Sequence, residues 1–359
     1  MATPLTAAPL RGGGFEEVDQ DETHRGLAQP PSGGQRFFDR AFQSLCRVFA
    51  WLAALLVAWI VVQILLQAVP TMREHGVKFL TDTTWDPNTH QYAILPEIFG
   101  TLYSSIAALI LGTAFGLAAA LFLVEGFLAQ GVVALLRVFK LQYRPGFQQL
   151  PDRAEQLLRN LIELLAAIPS VVYGLWGIFV VIPAIRPVCN WLHEELGWVV
   201  FFSTPFSGPG ILPAVLVLSI MLLPTITALS RDALSNVPTK LRMAAYGMGA
   251  TRWETILAVS IPTAARGIFG AVVLAFGRAL GETMALAMLV GNANRISVSL
   301  FSPANTLAAL LANNFPEAGP REVGVLMYAA LVLLAITLAV NIAGSLLLVR
   351  ASRGQEGQQ

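Results

Sequence analysis

Val48-Phe-Ala-Trp-Leu-Ala-Ala-Leu-Leu-Val-Ala-Trp-Ile-Val-Val-Gln-Ile-Leu-Leu-Gln-Ala-Val69 contains no charged residue. A helix needs about 20 apolar residues to cross the hydrocarbon core of a bilayer, and this stretch is apolar on every face rather than along one stripe. Ile98–Val124, Leu164–Ile185, Gly210–Ser230 and Val323–Val349 share both properties, whereas Gly267–Gly291 carries two charges, Arg278 and Glu282. None of these runs alternates apolar and polar residues as a membrane β-barrel strand does. The reading is an all-α integral membrane protein with six transmembrane helices.

Composition agrees. Of 359 residues, 55% are apolar and 13% charged, against about 25% charged in soluble domains. The mean hydropathy is +0.64. A net charge of +1 leaves no basic face for nucleic acid. Cys46 and Cys189 have no metal-binding spacing, and His24, His75, His90 and His193 lie outside the apolar runs, so no metal site or cofactor is expected. Pro31-Ser-Gly-Gly-Gln35 resembles the signature of ABC ATPases, but Lys78, Lys140 and Lys240 all lack a P-loop context. ATP binding by this chain is not expected.

Lysine and arginine mark the cytoplasmic side. They collect in the N-terminal tail (Arg11, Arg25, Arg36, Arg40, Arg47), after the second span (Arg137, Lys140, Arg144, Arg153, Arg159), after the fourth (Arg231, Lys240, Arg242, Arg252, Arg266) and at Arg350 and Arg353. That is 17 against 5 in the other loops, Arg278 aside. Both termini are therefore predicted in the cytoplasm. Residues 1–45 are expected to form a disordered tail with Gly- and Pro-rich punctuation. Without a signal-peptide core there, the first span would act as an uncleaved signal. Residues 46–350 form the permease-like domain and 351–359 a second tail. Phe127–Leu136 is too short to span and is predicted at the cytoplasmic interface. The aromatics of Trp198–Phe202 are predicted to anchor the outer one.

Within the loop 231–265, Met243-Ala-Ala-Tyr-Gly-Met-Gly249-Ala is followed by Thr251–Ala258 and Val259-Ser-Ile261-Pro262. This reads as a short helix, a glycine turn, a second short helix and a proline that stops it. It is either a connector or a compact surface for a partner. The stretch resembles the E-A-A-x3-G-x9-I-x-L-P loop of ABC importer permeases through Ala244, Ala245, Gly249, Ile261 and Pro262, with Met243 in place of the Glu and Ile261 of the Leu. In that family the loop docks on the ATPase and transmits its closure.

Four further stretches narrow the resemblance. They are Leu164-Leu-Ala-Ala-Ile-Pro169-Ser170-Val-Val-Tyr173-Gly174-Leu-Trp176-Gly177, Phe276-Gly277-Arg278-Ala-Leu-Gly281-Glu282-Thr283-Met284-Ala285, Ser302–Thr306 and Ala312–Ala318. Together they resemble the phosphate ABC importer permeases of PstC type over about residues 45–350. The resemblance implies a type I importer permease core acting with a homologous second permease subunit, two cytoplasmic ATPase subunits and an external phosphate-binding protein. It implies a bacterial inner membrane location and no chemistry by this chain. It leaves Glu125–Asn160 unassigned.

The fifth span supports the carry-over. A central Arg costs roughly 2.5–3.5 kcal/mol on insertion scales, which a purely structural helix has no reason to bear. Glu282 lies at i+4 from Arg278 and is expected to pair with it on one helix face. Gly277 and Gly281 would let a neighbouring helix approach. Arg278 and Glu282 thus read as a transient anion station, since Arg matches phosphate oxygens bidentately, or as a structural ion pair. Ser170 and Tyr173 offer hydroxyls beside a break at Pro169, or serve helix packing. A proton-coupled secondary transporter and an importer permease for another oxyanion are the alternatives. An intramembrane hydrolase is disfavoured, because no span contains His or Asp.

Overall fold

The computed structural model describes residues 33–127, 130–133 and 150–356. Among them six helices are long and apolar enough to cross a membrane: Phe37–His75, Leu95–Val124, Ser170–Leu196, Ile211–Ser235, Arg252–Leu280 and Pro320–Arg350. The one β pairing among the described residues is a bridge between Asp86 and Gln91. The all-α, six-span reading is borne out.

The chain divides into two units, one ending at Ile60 and one beginning at Val61. In the first unit, helix α1 (Gly33–His75) begins inside the segment expected as a disordered tail; residues 1–32 lie outside the described residues. Its side chains from Phe37 to Ile60 are exposed, as an apolar helix with lipid for a neighbour requires.

The second unit is built around α7 (Ile211–Ser235), 67% of whose most apolar window is buried, against 22–28% for the spans from Leu95, Ser170, Arg252 and Pro320. It packs along α3 (Leu95–Val124), which follows the single-turn helix α2 (Lys78–Thr81). Lipid tails are as apolar as leucine, so close packing rather than hydrophobicity joins helices in a membrane. Here Gly112 and Gly116 of α3 supply the small surface. A Cβ on Gly116 would lie 2.8 Å from the Ile226 side chain, and Thr227 Oγ1 donates to the Gly116 carbonyl at 3.2 Å.

The third span departs from its predicted limits. Leu164–Ala167 belongs to the amphipathic α4 (Leu150–Ala167), and Pro169, extended at φ −61° and ψ 143°, separates it from α5 (Ser170–Trp176). The helix then passes through a π turn (Gly177–Val181) into α6 (Ile182–Leu196). The wide turn has a cause: Pro183 has no N–H for the Phe179 carbonyl, and one extra residue in the turn absorbs the defect. Past Trp198 and the 3-10 turn Val200–Phe202, Phe202 packs on Phe301 at 5.4 Å.

The same device corrects the reading of Pro262. The hairpin helices are α8 (Thr239–Gly247) and α9 (Arg252–Thr255). Instead of stopping α9, the chain widens through a π turn at Ile256–Ser260 and continues as α10 (Ile261–Leu280). Ile261 and Pro262 therefore lie inside the fifth span. Beyond it come the half-helix α11 (Met284–Leu289), then α12 (Leu307–Asn314) and α13 (Pro320–Glu356).

Candidate functional site

The fifth span does not run unbroken through Arg278 and Glu282. Helix α10 ends at Leu280, Gly281 caps it, and α11 starts at Met284. The expected i+4 pairing is thereby lost, and the side chains part. Arg278 Nη1 donates to Thr225 Oγ1 at 3.2 Å, while Glu282 Oε1 accepts from the Ala285 N–H at 3.4 Å. Each charge sits where a helix end favours it. Arg278 is in the last turn of α10, near the partial negative charge of the exposed carbonyls, and Glu282 caps the positive N-terminus of α11. Thr225 lies near the midpoint of α7, which puts the guanidinium at mid-span depth.

Gly277 behaves as expected and Gly281 does not. A Cβ on Gly277 would lie 3.1 Å from Asn341 Oδ1 of α13, so this glycine admits the last span. Next to Gly281 only carbonyls of its own helix come within 4 Å; its use is to end α10.

The four stretches quoted for the resemblance meet around α11. A Cβ on Gly174 would lie 2.7 Å from Met288 Sδ, and one on Gly177, just past α5, 2.7 Å from the Leu289 methyls, so these glycines let α5 and the turn after it lie close against the half-helix. The third stretch pairs with the loop after α11: Ala304 N–H donates to the Val290 carbonyl at 2.9 Å and Ala293 N–H to that of Ala304 at 3.0 Å. From the fourth, Asn313 Nδ2 donates to Asn292 Oδ1 at 2.9 Å. Backbone at membrane depth without helical partners is tolerated only inside protein or beside a cavity, and these bonds satisfy it.

Tyr173 is buried, and its hydroxyl donates to the Leu165 carbonyl at 2.8 Å across the break at Pro169. Arg278 lies within electrostatic reach of that phenol. Ser170, half-buried, opens α5. Thr225 was not singled out in the sequence; a hydroxyl following Pro224 in an otherwise apolar helix was the available signal.

The cradle also rests on α3. Thr101 Oγ1 accepts from the Leu307 N–H at 2.9 Å, and a Cβ on Gly100 would overlap the Asn305 carbonyl oxygen. Gly100→Ala is expected to cost about 1–3 kcal/mol through overpacking against backbone that cannot retreat. A lowered unfolding midpoint of the purified protein is the measurement.

At the other end of the fifth span, the hairpin owes its shape to two caps. Gly249, at φ +88°, donates to the Tyr246 carbonyl at 3.0 Å, and Ala250 N–H to that of Ala245 at 3.1 Å. This is a Schellman end, which needs a left-handed residue. Thr251 and Glu254 then form a reciprocal capping box that starts α9. Ala245 is buried beneath the turn, whereas Ala244, Met243, Met248 and Trp253 are exposed. Phe127, just past α3, stacks on Trp253 of the hairpin at 5.5 Å; residues 128, 129 and 134–136 of the predicted interfacial segment lie outside the described residues.

Six helices long and apolar enough to cross a membrane, with a guanidinium and a carboxylate on either side of a break in the fifth, are those of a multi-pass membrane protein. The chain belongs to the binding-protein-dependent transport system inner membrane component family, whose model matches residues 148–353. It is similar to the phosphate transport system permease protein PstC of Haemophilus influenzae, 36% identical over 321 residues that cover 88% of this chain and 95% of the relative. The PstC of Mesorhizobium japonicum is 36% identical over 84% of this chain and 86% of its own. PstC 2 of Mycobacterium tuberculosis is 32% identical over 88% and 92%. A chain of the MetNI methionine ABC transporter, solved in inward-facing conformations, aligns at TM-score 0.49 and 17% identity, covering 74% of this chain and 99% of that one. The resemblance to PstC-type permeases seen in the sequence is borne out.

Proposed function

We propose that this chain is one of two permease subunits of an ATP-driven importer of inorganic phosphate. A homologous permease completes the pathway, two cytoplasmic ATPase subunits bind and hydrolyse ATP, and an external binding protein delivers phosphate. Similarity to PstC proteins along most of the chain supports the substrate. The observation that carries the translocation role is Arg278, held by Thr225 at mid-span beside a helix break.

In this reading Arg278 is the transient anion contact. Its planar fork matches two phosphate oxygens. Glu282, across the break, opposes tight retention, so that the anion is released onward. Ser170 and Tyr173 belong to the wall of the same passage. The exposed apolar residues of the hairpin, Met243, Met248 and Trp253, face the ATPase, and the buried Ala245 and the turn at Gly249 fix their spacing. The test is radiolabelled phosphate uptake by the complete complex with and without its ATPase subunits, with sulfate and molybdate as competitors. Uptake without the ATPase would instead make the chain a secondary transporter, and equal competition would widen the substrate to oxyanions in general.

The bilayer orientation is part of the proposal, with both termini and the hairpin in the cytoplasm. Reporter domains fused after Lys78 and Asn305 are expected outside, and those after Arg144 and Arg252 inside. An external reporter at Arg252 would separate the hairpin from any cytoplasmic ATPase.

A further inference from the structure

Glu125, at the hairpin end of α3, has no place in the function so far. Its side chain is only 9% exposed and faces two arginines, Arg252 Nε at 3.2 Å and Arg242 Nη1 at 3.6 Å. Arg252 also donates to the Glu125 backbone carbonyl and to Gln130 Oε1. Its guanidinium lies 4.2 Å from the centre of the Phe127 ring, which stacks on Trp253. Arg242 in turn donates to the Leu234 carbonyl of α7 at 2.7 Å.

These contacts join Glu125, Phe127 and Gln130 to both hairpin helices. Arg242 belongs to α8, and Arg252 is the first residue of α9. The same α3 that carries Glu125 at this end carries Gly100 and Thr101 at the other, where they support the loop around α11. A helix of 30 residues thus has one end latched to the hairpin and the other packed under the candidate site. A carboxylate shared by two guanidinium groups and largely withdrawn from water holds better than an exposed pair.

We propose that Glu125 is a positioning residue that locks the hairpin to the second span, so that movement of the hairpin is passed along α3 to the loop around the helix break. It touches neither ATP nor phosphate. The proposal rests on the reading of the hairpin as the ATPase-docking element.

The test uses the complete complex in proteoliposomes, measuring ATP hydrolysis, phosphate uptake and ATPase association for Glu125→Gln, Arg252→Gln and the double variant. Glu125→Gln is expected to keep its ATPase and hydrolyse ATP, while phosphate moved per ATP falls about fivefold or more, in the range of ordinary coupling energies. The loss in the double variant should fall short of the product of the two single losses, because the Glu125–Arg252 pair is common to both. An unchanged ratio in Glu125→Gln, or losses that multiply in the double variant, would overturn the proposal. Should Glu125→Gln reduce complex yield, the same comparison is read on yield: non-additive losses support the latch and multiplying losses refute it. Met248→Asp separates the two readings. If it leaves ATPase binding intact, the docking assignment fails and the latch with it. If it abolishes binding while Glu125→Gln leaves the ratio unchanged, only the latch fails.

Discussion

Arg278→Lys is expected to lower phosphate uptake tenfold to a hundredfold in a complex that still assembles and hydrolyses ATP. The substitution keeps the positive charge but replaces a planar fork, able to grip two oxygens at once, with a point donor. Losing one charge-assisted hydrogen bond to the passing anion costs about 1.5–3 kcal/mol, and each 1.4 kcal/mol is about a factor of ten. The bond from Nη1 to Thr225 Oγ1 is also lost, so the cation is no longer held at its depth. Glu282→Gln is expected to slow transport for the opposite reason: with its counter-charge gone, the guanidinium holds the anion longer. The decisive variant combines Arg278→Met with Glu282→Leu. Arg278 is exposed and Glu282 half-buried in the single chain, and their side chains part, so a purely structural role predicts normal uptake when both are apolar. A transport role predicts none, with unchanged yield of the detergent-extracted complex. Normal uptake by the double variant would leave the anion contact without support.

Gly249→Val is expected to uncouple the hairpin from its partner. At φ +88° an L side chain is strained, and a β-branched one more so; the cost is about 1–3 kcal/mol. The hairpin can relieve it only by opening the Schellman turn, which moves Met248 and the start of α9 relative to α8. The described space around Gly249 is open, with nothing within 4 Å of an added Cβ, so the effect is conformational and not a clash. ATPase association in pull-downs and phosphate uptake should therefore fall together, while membrane insertion and yield of the chain stay normal. Gly249→Ala, strained less, should fall between the two. Normal association of the valine variant would show that docking does not use this turn.

The spans were readable because a bilayer imposes one rule on every residue of a crossing helix. The hairpin was readable for a local reason. Ala245, Gly249 and Thr251–Glu254 are spaced as a helix end followed by a helix start, and both caps are closed by residues within five positions of each other. The prolines misled. Read alone, Pro262 stops a helix, yet a π turn carries the chain past it, as another does before Pro183. The pairing of Arg278 with Glu282 failed similarly, since i+4 spacing places two side chains on one face only while the helix lasts.

What the sequence by itself determined is therefore the six apolar spans, the capped hairpin, the family, and the identity of the charged residues at the centre of the fifth span. These depend on composition or on neighbours along the chain. Only the tertiary structure decided that the span breaks at Gly281, that Arg278 turns to Thr225, and that Glu125 clasps Arg242 and Arg252. The physical reason is the same in each case. Ending a helix inside a membrane exposes backbone groups that must find partners; at Gly281–Thr283 the chain bonds to itself, Glu282 N–H to the Ala279 carbonyl at 3.3 Å and Thr283 Oγ1 to that of Gly281 at 3.1 Å, while α5 and the loop before α12 pack against the half-helix that follows. Those segments lie far apart in sequence, so no local pattern announces that they will meet.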